Sequence, residues 1–129
     1  MAAGPAFLTL DEVLALHADQ IGRYGGALGV RDLALLQSAL AVPSTTFAGD
    51  FLHSTIHEMA AAYLFHIVKN HPFVDGNKRT GLITAIAFLG LNGKTVDADP
   101  DELVATVLGV ADGSIDKLDL AVFLKSNIR

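Results

Sequence analysis

The sequence contains no cysteine and no tryptophan, only four prolines, and an aromatic content of 7%. Without a thiol, disulfides, thiolate metal sites and cysteine nucleophiles are all excluded. Charge is sparse too. Charged residues make up 18%, and nine basic against fourteen acidic side chains leave a formal net charge of −5. A broad basic face for nucleic acid is therefore excluded, and any local cluster of cations needs its own explanation. The longest apolar run, Leu82 to Leu91, is about half the length of a membrane span. The opening MAAGPAFLTLDEV lacks the basic stretch and continuous apolar segment of a secretory leader. A cytoplasmic, soluble protein is the expectation. What the chain does have is apolar residues, 51% of 129. A chain of this length buries about two thirds of its unfolded surface. That excludes general disorder and predicts one domain, 1–129, with its core at about 8–127.

Helix punctuation recurs from end to end. Thr9-x-x-Glu12 has capping-box spacing and opens a helix at about 10–22, which Gly25-Gly26 ends. A second helix covers 31–41 and stops before Pro43. PSTTFAGD, 43–50, reads as a loop. A third helix runs over 51–69, broken by Asn70-His71-Pro72, and a fourth over 78–91, stopped by Asn92-Gly93. Leu82, Ile83, Ala85, Ile86, Phe88 and Leu89 leave the fourth almost no polar face, the pattern of a buried central helix. Asp99-Pro100-Asp101-Glu102 opens a fifth at 100–111, and a sixth follows at 116–127. No strand alternation is evident, although Lys94–Val96 allows a short extended piece. The fold class is all-α, about six helices around a buried central one.

One segment stands apart: His71-Pro72-Phe73-Val74-Asp75-Gly76-Asn77-Lys78-Arg79-Thr80-Gly81. It places a base, a carboxylate, a flexible glycine, an amide and two cations directly before the fourth helix. The first turn of a helix has unpaired N–H groups and the positive end of the macrodipole, so it is a ready anion site. Lys78 and Arg79 oppose that dipole, and a bound polyanion would relieve the conflict. Asp75 suits a hard divalent cation riding on phosphates. The residues themselves point to a phosphate-ligand site with an adjacent base.

HPFVDGNKRTG resembles the signature of the Fic/Doc superfamily, H-x-F-x-[D/N]-[A/G]-N-[K/G]-R. Leu14-Ala15-Leu16-His17, Ile21-Gly22-Arg23-Tyr24-Gly25-Gly26, Phe88-Leu89 and Asn92-Gly93 resemble the Doc (death-on-curing) branch, and the likeness spans about residues 8–125. The resemblance implies an all-helical toxin of a toxin–antitoxin module. Its implied activity is transfer of the γ-phosphate of ATP, with Mg²⁺, to a threonine of elongation factor Tu, which blocks translation. By position, His71 would be the base and Asp75 the holder of Mg²⁺. Gly76 and Asn77 would shape the anion pocket, Lys78 and Arg79 would grip the nucleotide, and Phe73 would anchor the loop. Arg23 would stand at the pocket rim. A small Phd-like antitoxin is the implied inhibitor, docking in a groove sought at the 43–52 loop and the first two helices. Neither nucleic acid nor membrane is implied as a partner.

AMP-transferring Fic enzymes resemble this pattern except for a glycine at the place of Lys78 and an arginine at the place of Leu82. Lys78 and Leu82 therefore favour phosphate transfer over AMP transfer, which stays as an alternative beside a catalytically silent binding module. Ile83 stands where some Doc relatives have a polar residue. Other motifs are weaker. Gly93-Lys94-Thr95 follows a helix where a phosphate loop would open one. His53 and His57 are spaced for a metal, but HExxH is absent and an exposed face is the simpler reading. His17 and His66 read as partly buried helix residues. Ser54-x-x-x-Glu58 resembles part of a Fic self-inhibitory motif, but Met59 breaks its last position.

Overall fold

The computed structural model describes residues 4–129; the first three residues of the stretch read against a leader, 1–3, lie outside them. The elements in order are α1 (Leu10–Tyr24), α2 (Leu33–Ala41), β1 (Thr46–Phe47), β2 (Asp50–Phe51), α3 (Ile56–Asn70), α4 (Asn77–Leu91), α5 (Pro100–Asp112) and α6 (Lys117–Ser126). Six helices fall where the punctuation puts them. Thr9 and Glu12 form the reciprocal capping box of α1, and Pro100 sits in the first turn of α5 behind the Asp99 cap.

The largest difference lies before α3. Residues 51–54 are not helical, because Thr55 takes the N-cap and its Oγ1 accepts from Glu58 N–H at 3.2 Å. The preceding residues form an antiparallel hairpin in which Thr46 faces Phe51 and Phe47 faces Asp50. Ala48 and Gly49 both have positive φ, 52° and 88°, as a tight two-residue hairpin turn requires. Strands of two residues are too short to show alternation. The extended piece at Lys94–Val96 is present: Thr95 and Arg129 exchange backbone hydrogen bonds, and Val96 bridges Ile128.

The buried centre is a pair of helices. α3 is enclosed along the whole stretch Met59–Leu64, with α2 and α6 packed on its flanks. α4 crosses it closely at Gly81, where a Cβ would stand 3.0 Å from Val68 Cγ2 and 3.2 Å from the Leu64 carbonyl. Thr80, Gly81, Thr84, Ala85, Phe88 and Leu89 make the inner face of α4, while Leu82, Ile83 and Ile86 are only half-buried. The apolar excess of α4 thus serves two surfaces. One is the core; the other is an open trough against α1 and α5, lined by Tyr24, Leu82, Ile83, Ile86, Val104 and Leu108. A second small core of Val13, Leu36, Ala39, Ile67 and Phe73 lies under the α3–α4 connection. It fixes that connection through Phe73.

Candidate active site

The connection from α3 to α4 begins in an unfavourable conformation. His71 caps α3 with φ 49° and ψ 53°, a left-handed geometry that costs a non-glycine residue about 1–3 kcal/mol. The surroundings impose it. Arg31 Nε donates to the His71 carbonyl at 2.7 Å, and Arg31 Nη2 donates to the Asn70 carbonyl at 3.1 Å. The backbone N–H groups of Arg31 and Asp32 both donate to the Pro72 carbonyl, and Val74 N–H donates to the Gly29 carbonyl. Residues 29–32 therefore run beside the loop as a short strand would, with Val30 bridging Phe73.

Phe73 is fully buried, and its backbone is clamped by the amide of Asn77. Phe73 N–H donates to Asn77 Oδ1 at 2.9 Å, and Asn77 Nδ2 donates to the Phe73 carbonyl at 3.0 Å. His17 stacks on the Phe73 ring with centroids 3.9 Å apart and planes 6° apart. Its Nε2–H donates to the Asp75 carbonyl at 2.9 Å. The histidine lies on the Val13–His17–Ile21 stripe that α1 buries. That stripe was the available signal, since a polar residue at a core position needs a partner.

Asp75 and Gly76 turn the chain into α4. Gly76 N–H donates to Asp75 Oδ1 at 2.9 Å and Ala27 N–H to Oδ2 at 3.3 Å. These two bonds, with the nearby charge of Arg79, hold the carboxyl below its ordinary pKa, so it is ionised at neutral pH. Gly76 occupies the N-cap with φ 76°, a position that only glycine takes without strain. α4 has no side-chain cap, whereas Thr9, Asp32, Thr55, Asp99 and Asp116 cap the other five helices. Its first N–H with a partner is Thr80, bonded to the Gly76 carbonyl. Among the described residues the N–H groups of 77–79 therefore have no partner.

The conflict between two cations and the helix dipole is resolved unequally. Arg79 Nη2 donates to the Gly25 carbonyl at 2.9 Å and Nη1 to the Gln20 carbonyl at 3.4 Å. Those carbonyls belong to the negative end of α1, which holds the guanidinium at the edge of the site. Lys78 is exposed, with no ion pair or hydrogen bond among the described residues. The His71 ring is likewise exposed and unbonded there.

His71, Asp75, Gly76, Asn77, Lys78 and Arg79 line one pocket of about 360 Å³, completed by Val68 and Ala111. That volume lies in the range of small-ligand sites. Phe73 is buried in the second core and does not line the pocket, and Arg23 lies away from it, paired with Asp19 at 2.9 Å on the exposed side of α1. Nothing in the sequence pointed to Ala111 or to Arg31, each some 40 residues from the loop. Asp75 is the only carboxylate lining the pocket, and no cluster of three metal-binding side chains occurs among the described residues. One ionised carboxylate fits Mg²⁺, which keeps most of its shell as water and phosphate oxygens. Glu58 is occupied with Thr55 and lines a different cavity beside His53 and Lys117. His57 Nε2 lies 3.1 Å from Thr55 Oγ1.

Residues 7–89 match the family model described as Fic/DOC family. The chain is 42% identical over 92 residues to a protein named Toxin Doc from Mycolicibacterium smegmatis, an alignment covering 71% of this chain and 70% of that one. It is 34% identical over 115 residues to a protein named Protein kinase doc from Escherichia phage P1, covering 89% and 90%.

Proposed function

Because the chain belongs to the Fic/DOC family, in its Doc branch, we propose that it is a Doc-type toxin that acts as a protein kinase. Its reaction is transfer of the γ-phosphate of ATP to a threonine hydroxyl of elongation factor Tu in the cytoplasm, which stops translation. Residues 1–129 are read as one Fic/Doc unit, with the core at about 8–127. The observation that carries the reading is the bare N-terminus of α4 opening into the same pocket as an unbonded His71.

The chemistry follows from that arrangement. Phosphoryl transfer needs positioning and stabilisation of spread negative charge more than covalent catalysis. The N–H groups of 77–79, the Lys78 ammonium and the dipole of α4 supply that charge stabilisation. As the acceptor oxygen bonds to the γ-phosphorus, the bond to the bridging oxygen breaks and ADP leaves. The acceptor proton passes to the free nitrogen of His71. Asp75 is the residue to hold Mg²⁺, which when bound supplies positive charge to the phosphate oxygens. Arg79, tied to α1, borders the nucleotide. Asn77 and Phe73 keep the loop in shape, and Arg23 reaches the site only if its bond to Asp19 opens.

AMP transfer fits less well. The position that carries a second arginine in AMP-transferring relatives is Leu82, and Leu82 faces the apolar trough. Glu58 is not placed as a brake on the site, since it lines a different cavity. Inhibition then comes from an antitoxin, and the trough between α1, α4 and α5 is the surface for its apolar segment. Arg79 lines both trough and pocket, so an occupant of the trough would cover the mouth of the site.

The test is mass spectrometry of elongation factor Tu incubated with this protein, Mg²⁺ and ATP. One added phosphate on a threonine, abolished by His71→Ala, is the expected result. Added AMP would establish the Fic-type transfer instead. An unmodified factor, with His71→Ala still toxic to growing cells, would establish a silent binding module.

A further inference from the structure

Arg31 and His17 both grip the loop, at opposite ends, His17 from α1 and Arg31 from the extended segment before α2. We propose that they are positioning residues with separate tasks: Arg31 sets the direction of the His71 imidazole, and His17 sets the Asp75 carboxylate. The inference rests on the reading of this loop as the phosphoryl-transfer site.

At the first end, the carbonyls of Asn70 and His71 are left over by the end of α3, and the Arg31 fork takes both, at 3.1 and 2.7 Å. Any rotation of His71 out of its left-handed conformation would swing its carbonyl out of that fork. The fork therefore fixes the Cα–Cβ direction, and with it the reach of the ring. A lysine has one donor centre and cannot hold two carbonyls in this geometry.

At the other end, His17 is 3% exposed, and its ring N–H has one acceptor, the Asp75 carbonyl at 2.9 Å. That carbonyl shares a peptide plane with Gly76 N–H, which donates to Asp75 Oδ1. Fixing the plane fixes the carboxylate. Between the two ends, the Phe73–Asn77 clamp closes the backbone on itself through two hydrogen bonds. A disturbance at one end is stopped there.

The variants are Arg31→Met and His17→Phe, the second keeping the stack on Phe73 but losing the N–H. Three quantities are read: affinity for Mn²⁺·ATP by calorimetry, the single-turnover transfer rate, and the ¹³C resonance of the His71 ring. Arg31→Met should slow transfer about 100-fold, as a displacement near 1 Å does, with the affinity kept and the His71 resonance broadened. His17→Phe should weaken Mn²⁺·ATP binding about tenfold or more and leave the His71 resonance sharp. His17→Gln, which restores a donor, should recover most of the affinity. Equal losses in both quantities from either variant, or no recovery with glutamine, would overturn the division of labour. A wild-type protein that neither binds Mn²⁺·ATP nor transfers phosphate would overturn the proposed function, and the His71 resonance would still decide the role of Arg31.

Discussion

Gly26 lies so close to Asp75 that a Cβ on residue 26 would stand 2.6 Å from Asp75 Oδ2 and 3.1 Å from its Cγ. The glycine pair after α1 is thus more than a helix stop. Gly25 N–H closes α1 on the Ile21 carbonyl, and Gly26 makes room for a carboxylate from the loop. Gly26 also has φ 117°, which a side chain resists. Gly26→Ala should push the carboxylate out of its bonds to Gly76 and Ala27 and lower transfer activity about 100-fold. Raising the Mg²⁺ concentration should recover part of the loss. An alanine variant with wild-type Mg²⁺ dependence would show that the carboxylate has another place to go.

His71 trades stability for position. Its left-handed backbone suits glycine far better than histidine. His71→Gly should raise the unfolding free energy by about 1 kcal/mol while abolishing transfer. Urea denaturation of the two proteins measures the difference, and a variant less stable than wild type would show that the imidazole contributes packing its exposure does not reveal.

How far the sequence speaks depends on the range of the interaction. Caps and stops act within four residues, so Thr9, Pro100 and Asn92-Gly93 place their helices from local chemistry alone. The signature around His71 is equally local, and six of its residues line one pocket. The hairpin at 46–51 escaped because its pairing is two residues long. Arg31 escaped because its partners, the carbonyls of Asn70 and His71, are backbone atoms and leave no mark in composition. α4 read as buried all round because apolar content cannot say whether a face meets the core or an open trough. Leu82 and Ile83 meet the trough.

Stability should fall in weak acid through the cluster of His66 on α3, Lys117 on α6 and His53 just before α3. Burial first, then Lys117 and His53, lower the His66 pKa from its ordinary 6.5 to about 4. Lys117 Nζ donates to His66 Nε2 at 3.1 Å, which requires that nitrogen bare. The unfolded imidazole protonates below 6.5, and the folded one only near 4. Unfolding therefore takes up a proton in that window, and stability declines as the pH drops through it and is level above it. His53, lowered chiefly by burial and then by Lys117, adds in the same direction. His66→Gln keeps an acceptor for Lys117 and removes the titration, so urea midpoints measured from pH 7 to pH 4 should fall less steeply in the variant. Parallel curves would assign the acid sensitivity elsewhere.

Thr84 on the inner face of α4 is fully buried, and its hydroxyl has no partner among the described residues. A buried hydroxyl left unpaired costs about 1–3 kcal/mol. Thr84→Val keeps the shape and removes the polar atom, so the unfolding free energy should rise by about 1 kcal/mol. A loss of stability on substitution would mean that the hydroxyl has a partner, such as an internal water.

The trough predicts a separation between activity and its control. Val104 projects into it from α5 and is 55% exposed, so a charge there should be tolerated by the fold. Burying that charge under an apolar segment would be costly. Val104→Glu should therefore remain toxic to growing cells, since none of the pocket-lining residues changes, and should escape neutralisation by co-expressed antitoxin. Colony counts with and without the antitoxin gene measure both properties in one experiment. A Val104→Glu protein that is still neutralised would move the antitoxin segment off the trough, to the 43–52 loop or the exposed side of α2.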